Sequence, residues 1–264
     1  LKFELRRLKR ERLMGFEKAS KIFDLYINWE RRLNREMPWL LEALKAVEAR
    51  EVADVACGNG FHSAALAEAG LKVTAIDPDA ALLDEARRRA KERRVALRTR
   101  KASFAELPAD LEGAFDAALC LGNSIALIEP GPLLTQALAG LAGLLDRGGR
   151  LILHTINFPM LAARSGEPWG PVRMLDDGSL VLKGFIPRTD GPWEVVLLLL
   201  EKGDESGWKR RIARFQVHPH SRNVLEAAAS DAGMRLERVT GGFGGESPED
   251  PDSADLLYAF TRSN

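Results

Sequence analysis

One ten-residue run, Glu51-Val52-Ala53-Asp54-Val55-Ala56-Cys57-Gly58-Asn59-Gly60, constrains the fold of this chain more than any other. A short β-branched run passes through an acid and opens into a Gly-x-Gly turn. Phe61 to Ala69 follows with helical spacing, which predicts Phe61, Ala65, Leu66 and Ala69 on one face. A second apolar run, Leu71 to Ile76, ends in Asp77. Strand, glycine turn, helix, strand, acid is the order in which an open parallel sheet holds a nucleoside. The glycines let backbone approach the ligand, and the acid accepts the ribose hydroxyls.

Gly-x-Gly also marks ordinary turns, so the surrounding residues matter. A dinucleotide fingerprint wants a third glycine where Ser63 stands, and it has no task for the acid three residues before Cys57. Asp54-x-x-Cys57-Gly58-x-Gly60 instead resembles motif I of the class I S-adenosylmethionine-dependent methyltransferases. The resemblance implies S-adenosyl-L-methionine as cofactor and S-adenosyl-L-homocysteine as product. It implies cofactor contacts from Asp54, Ala56, Cys57, Gly58 and Gly60, with Asp54 toward the ammonium end. Asp77 and Pro78 would meet the ribose.

Three further segments extend the resemblance. Ala102-Ser103-Phe104 follows the third strand, where the family often has an acid for the adenine amine; Ser103 departs from that pattern but still offers an acceptor, and Phe104 is either an adenine wall or core. Phe115 to Ser124 resembles the fourth-strand motif of small-molecule methyltransferases, particularly the glycine/sarcosine N-methyltransferase group, and adds Leu121, Gly122 and Asn123 to the implied contacts. In that group Leu-Gly-Asn-Ser is followed closely by Ala-His. Here Ile125-Ala126-Leu127 stands instead, and the histidine is absent. Phe23 to Leu33 looks like the family's amino-terminal lid. There Arg32 can pair with the methionine carboxylate and Trp29 can face the sulfonium. Catalytic candidates are His218 and His220, which flank Pro219, and Tyr26. No metal ligand set is predicted.

Composition narrows the function classes. Lysine plus arginine and aspartate plus glutamate balance at 38 each in 264 residues, so no global field draws the chain to nucleic acid or a membrane. No apolar run approaches the roughly 20 residues of a membrane span. Cys57 and Cys120, the two cysteines, offer no disulfide framework or zinc spacing, and a cytoplasmic enzyme is expected. Cys120 reads as a buried strand cysteine rather than a nucleophile. Lys2 to Arg12 is locally basic with Leu1, Leu5 and Leu8 at helical spacing, an expected solvated terminal helix.

Beyond Asp77 the pattern repeats. Asp79 caps a predicted helix to about Arg93, and Val95–Thr99, Ala114–Leu121 and Arg150–Ile156 read as strands. Leu133–Leu145 reads as a helix that stops at Gly148-Gly149. From about Asn157 to Val217 no helix is predicted, and Val181–Ile186, Glu194–Glu201 and Trp208–Val217 read as antiparallel strands. Ser221 caps another helix, and Met234–Thr240 and Asp255–Thr261 close the chain as two strands joined by the Gly241–Ser253 loop. The expected fold is α/β. It has a Rossmann-like, seven-stranded, mostly parallel sheet with a reversed last strand, and an antiparallel β insert capping the active site. The expected domains are a helical lid over 1–48, a core over 49–156 and 218–264, and a substrate cap over 157–217. A helix starting near Pro38 leads into the first strand.

The implied activity is in-line methyl transfer to a small-molecule acceptor, with an amine nitrogen favoured because a neutral amine needs no strong base. The alternatives are an NAD(P)-dependent oxidoreductase, a cofactor-binding regulatory module without turnover, and an RNA methyltransferase. Nucleic acid and membrane are not the expected partners. Oligomeric state is not readable from the sequence.

Overall fold

The computed structural model describes residues 19–104, 106–163, 169–203, 207–250 and 253–263. The basic segment Lys2–Arg12 lies outside them. The chain forms two compact units, Trp29–Ala163 with His220–Asn264, and Leu1–Asn28 with Arg164–Pro219.

The larger unit carries a seven-stranded sheet of β1 (Glu51–Val55), β2 (Lys72–Asp77), β3 (Arg98–Lys101), β4 (Phe115–Cys120), β5 (Leu145–Ile156), β10 (Met234–Thr240) and β11 (Asp255–Arg262). Their spatial order is β10-β11-β5-β4-β1-β2-β3. β1 to β5 run parallel, and β11 pairs antiparallel with both β5 and β10, giving the reversed last strand. The central strands are continuously apolar because they are covered on both faces, and alternate residues enter two different cores. Ala53, Val55, Ala118, Cys120, Leu151 and Leu153 enter one, with α4 (Pro132–Leu144) and α6 (Arg222–Asp231) packed on it. Val52, Ala117, Leu119 and Ile152 enter the other, under α1 (Trp29–Lys45) and α2 (Phe61–Glu68). Strand order reverses between β1 and β4, which opens a crevice at their carboxyl ends.

Local structure departs from the sequence reading at several places. α1 begins at Trp29, and Pro38 lies inside it. The stripe Leu33, Leu40 and Leu44 is buried along the whole helix, and that burial outweighs the one backbone bond the proline removes. Trp29 and Arg32 therefore sit in the first turn rather than ahead of the helix. α2 buries His62, Ser63, Ala64 and Leu66, a face rotated from the expected one, because two buried acids reach for His62 and Ser63 (below). β3 starts at Arg98, where pairing to Thr74 begins, and the ladder continues with Ala102 N donating to Asp77 O at 3.2 Å. α4 ends at Leu144, and β5 begins at once. The residues before Arg150 are taken up in a register shift opposite Asp116, where a Cβ on Gly149 would lie 2.9 Å from Asp146 O and 3.1 Å from Asp116 O.

The smaller unit is an antiparallel sheet of β6 (Arg173–Met174), β7 (Leu180–Ile186), β8 (Trp193–Lys202) and β9 (Trp208–Val217). The helical stretch 19–26 covers one face through Ala19, Ile22, Phe23 and Tyr26, packed with Val181, Leu197, Leu199 and Ala213. β7, β8 and β9 match expectation to within a residue, while β6, only two residues long, was not expected. The stretch from Asn157 is not free of helix, because α5 (Phe158–Ala163) forms a turn and a half held by Leu161 N donating to Asn157 O at 2.9 Å. Its six residues are too few to leave a periodic pattern.

Gly60, the residue before α2, has φ +73°, and a Cβ there would lie 2.5 Å from the Ala86 Cβ of α3 (Ala80–Glu92). Gly60→Ala is expected to destabilise by about 2–4 kcal/mol, combining left-handed strain with a clash. In urea denaturation, a double-mutant cycle with Ala86→Gly should return about 1–2 kcal/mol of favourable coupling, the clash alone.

Candidate active site

The crevice is built on a bend that the end of β1 makes beside β2. Ala56 has φ +56°, a conformation costing a non-glycine residue about 1–2 kcal/mol. Cys57 N donates to Ile76 O at 3.1 Å and Gly60 N to Cys57 O at 3.1 Å, so the strained bend is held at both ends. Gly58 has φ +57°, and a Cβ there would meet no atom within 4 Å. The side of the bend facing away from the sheet is therefore open backbone.

Asp77, at the tip of β2, accepts Gly58 N–H at Oδ2 and Asp79 N–H at Oδ1, each at 2.9 Å. Each oxygen keeps a lone pair, so the carboxylate is oriented without being saturated. Burial pushes its pKa up to about 6, against the pull of those two N–H groups. Asp79 caps α3 by accepting Ala81 N–H at 2.8 Å, which leaves Asp77 free of that duty. Pro78 is exposed between them.

Asp54 is 2% exposed and accepts the Ser63 hydroxyl at 2.5 Å. Burial raises its pKa, while the charge of His62 and the Ser63 bond work against that rise. The serine in place of a third glycine thus has a task, because it satisfies the strand acid. Burial and the charges of Asp54 and Asp77 push the Cys57 thiol well up, and burial pushes the Cys120 thiol up as well. Both environments disfavour the thiolate that a nucleophile needs.

α1 contributes a network that sequence reasoning missed. Glu36 is fully buried, accepting Arg32 Nε at 2.9 Å and Arg35 Nη2 at 3.0 Å on Oε1, with His62 Nε2 2.8 Å from Oε2. Burial alone would raise its pKa. The His62 bond and the Arg32 charge outweigh burial and hold it at about 2. Arg32 gives only Nε to this pair, and its Nη2 lies 3.8 Å from where a Gly122 Cβ would stand. Its guanidinium is 5.1 Å from the ring centre of Trp29, which stacks on Phe61 at 4.2 Å.

The turn after β4 is fixed from below. Gly122 and Asn123 have φ +69° and +67°. Gly122 N donates to His154 Nδ1 at 3.1 Å, and Asn123 Oδ1 accepts Ile156 N–H at 3.0 Å. His154 Nε2 lies 3.1 Å from Asp255 Oδ1, and Arg35 Nη2 reaches Asp255 Oδ2 at 3.4 Å. Phe243, from the loop after β10, closes over His154 at 5.3 Å. An imidazole that accepts at Nδ1 carries its proton at Nε2, which lies near Asp255 but is not aligned for a hydrogen bond to it. The signals for these residues were in the sequence: Glu36 is an acid on the buried stripe of α1, and His154 interrupts an apolar strand.

The structure thus brings Trp29, Arg32, Asp54, Ala56, Cys57, Gly58, Gly60, Asp77, Gly122 and Asn123 to the carboxyl ends of adjoining strands in one unit. Leu121 is buried in the core, leaving its backbone to serve the turn. Ser103 is half-buried just beyond β3, and Phe104 packs with Leu107 against the core. Tyr26 and His218 belong to the β-rich unit, where the Tyr26 hydroxyl lies 2.7 Å from a Cβ placed on Gly170 and burial raises its pKa. His220 is buried at the start of the segment leading to α6.

Residues 52–149 match the family model described as a methyltransferase domain. The sheet order and the reversed strand are also those of the solved methyltransferases on which the chain superposes. In sequence the chain is similar to glycine/sarcosine N-methyltransferases. It is 36% identical over 162 residues to the glycine/sarcosine N-methyltransferase of Parasynechococcus marenigrum, an alignment covering 61% of this chain and 53% of that protein. The chain spans about half the length of the curated relatives it matches. The fold superposes on an S-adenosylmethionine-dependent methyltransferase from Clostridium acetobutylicum with TM-score 0.77 and 14% identity, covering 94% of this chain and 99% of that one. The sugar N-methyltransferase KedS8 from Streptoalloteichus gives 0.73 at 20% identity, with 92% and 93% covered. No helix among the described residues is long and apolar enough to cross a membrane.

Removing the Glu36 charge strands two cations. Glu36→Gln is expected to cost about 3–5 kcal/mol at neutral pH in urea denaturation. Because the folded pKa is depressed, wild-type protein keeps this stabilisation above the ordinary glutamate pKa near 4.3. It loses about 3 kcal/mol as pH falls toward 2, a loss the variant lacks.

Proposed function

We propose that this chain binds S-adenosylmethionine in the crevice over Gly58 and transfers its methyl group to a small-molecule acceptor, with an amine nitrogen favoured. The observation that carries the reading is the pairing of an oriented, unsaturated Asp77 carboxylate with an unobstructed Gly58 backbone. That is a hydroxyl-accepting acid beside a surface a flat nucleoside can approach. Arg32 supports the reading at the other end of the crevice. Glu36 occupies its Nε, which leaves Nη2, near Gly122, for a carboxylate. In this proposal Asp77 takes the ribose, Ser103 and Phe104 flank the base, and Arg32 and Trp29 take the amino-acid end. The remaining cofactor contacts, Asp54, Ala56, Cys57, Gly58, Gly60, Pro78, Leu121, Gly122 and Asn123, come from the two bends. The lid over 1–48, the core over 49–156 and 218–264 and the substrate cap over 157–217 are part of the same proposal.

Bound cofactor supplies an activated methyl on a sulfonium, so the protein's work is alignment and exclusion of water. Arg32 and Trp29 orient the amino-acid end, and the Gly122–Asn123 turn, held by His154 and Ile156, shapes the wall beside it. A neutral amine attacks without a base, which agrees with a site whose histidines, His62 and His154, are already committed to Glu36, Gly122 and Asp255. The amine preference also draws on the relatives, which are named for glycine, sarcosine and sugar N-methylation.

Asp77 must be ionised to accept two hydroxyls, and its unliganded pKa is raised to about 6. Holding it ionised disfavours the unliganded fold as pH rises from about 4 to 6, and ligand relieves that cost. The Kd for S-adenosylhomocysteine, measured by calorimetry, is expected to rise about tenfold from pH 8 to pH 5. Asp77→Asn should weaken binding on the order of 30- to 100-fold at pH 8 and abolish the pH dependence. A methyl-transfer screen over amine, thiol and hydroxyl acceptors then tests the activity. Binding of NADH in place of S-adenosylhomocysteine, or tight binding with no turnover on any acceptor, would overturn it.

A further inference from the structure

We propose that His62 is a positioning residue for the cofactor's amino-acid end. By occupying one oxygen of Glu36, it stops that carboxylate from closing a two-bond fork on Arg32. An arm of the Arg32 guanidinium is thereby kept for the ligand. This rests on the cofactor crevice proposed above, and it assigns a task to a side chain that acts only through Glu36 and Arg32.

A planar guanidinium and a carboxylate frequently pair through two parallel N–H···O bonds, the arrangement their shapes match best. Arg32 and Glu36, one turn apart on α1, do not. Only Nε reaches Glu36, at 2.9 Å on Oε1, and neither Nη nitrogen hydrogen-bonds to a described residue. Yet the Arg32 side chain is only 13% exposed. A polar group withdrawn this far from water ordinarily fills its donors from the protein. Here the Nη pair is left over, and Nη2 stands 3.8 Å from where a Gly122 Cβ would lie.

The cause of this division lies on α2. Glu36 is ionised, with its pKa held at about 2, and an ionised carboxylate only accepts. His62 Nε2, 2.8 Å from Oε2, therefore carries its proton and donates. Arg35 Nη2 adds a second donor to Oε1 at 3.0 Å. Oε1 thus holds two donors, and Oε2 is turned to α2. His62 is braced in this position. Its ring stands edge-on to Trp29 at 5.9 Å, and Trp29 stacks on Phe61, the residue before His62. Without His62, Oε2 of a fully buried carboxylate has no partner. It would then turn to the unused Nη groups of Arg32, whose Nε already sits on Oε1, because a buried orphaned acceptor is costly. The fork would close, and the ligand's carboxylate would have to break it. With His62 present, the guanidinium is fixed at Nε and open at Nη before the ligand arrives.

The test compares, by calorimetry, S-adenosylhomocysteine with methylthioadenosine, which keeps the nucleoside and its thioether but lacks the amino-acid end. The ratio of the two dissociation constants measures what that end contributes. A merely structural role would weaken both ligands together and leave the ratio unchanged. Arg32→Ala is expected to cut the ratio about 10- to 100-fold. His62→Leu should cut it about tenfold, and should add less than about twofold in the Arg32→Ala background. His62→Asn, too short to reach Oε2, should follow His62→Leu and carries the test if the leucine variant does not fold. His62→Gln, whose amide nitrogen can still donate to Oε2, should stay within about threefold of the wild-type ratio. A ratio that depends on Arg32 but ignores both His62→Leu and His62→Asn, or that falls as far in His62→Gln, would overturn the inference and leave the cofactor crevice standing. A ratio unmoved by Arg32→Ala would overturn the placement of the amino-acid end and the inference with it.

Discussion

The buried carboxylate of Glu36 is the interaction on which the site depends. Taking a carboxylate out of water costs several kcal/mol unless it is paired and hydrogen-bonded, so its position dictates where its partners stand. Arg32 and Arg35 must lie on the same helix within reach, and His62 must turn inward from α2. Turning His62 inward also carries Ser63 to Asp54, so two buried acids together set the rotation of the helix that follows the glycine bend. Through Arg35 the same network reaches Asp255 on the reversed strand, and from there His154 and the Gly122 amide. One acid on α1 thereby joins the first bend of the crevice to the second.

The acids of the crevice are sorted by their partners. Glu36 meets two arginines and a histidine, and its pKa falls to about 2. Asp77 meets only two backbone N–H groups, which do not offset burial, and it sits at about 6. The first behaves as a structural ion. The second keeps unspent acceptor capacity in a desolvated position, the condition under which a ligand's hydroxyls are worth most. A single charge type serves opposite ends because the neighbours differ.

The smaller unit follows a different logic. Its central strand places apolar residues on both faces of the sheet, so the alternation of polar and apolar residues that normally betrays a solvated face is weak in Val195 to Leu200. That is also why the strands were readable while their faces were not. A run of leucines and valines announces a strand without saying what covers each side. The pairing register assigns the faces.

Much of the fold was legible because its signals are local. The Gly58-x-Gly60 bend, Asp77 after an apolar run, the caps at Asp79 and Ser221, and the strands Met234–Thr240 and Asp255–Arg262 are each written within about ten residues. The features that escaped depend on partners distant in the chain. Proline 38 suggests a helix start until the buried stripe on both sides of it is known. The face of α2 cannot be chosen without Glu36, 26 residues away, and the role of His154 needs Asp255 and Gly122. Residue types and short-range periodicity therefore determined the fold class of this protein and the strand ends at which its candidate site residues stand. Only the tertiary structure decided which polar groups are buried together, because the cost of leaving a charge unpaired is set by whatever the folded chain brings beside it.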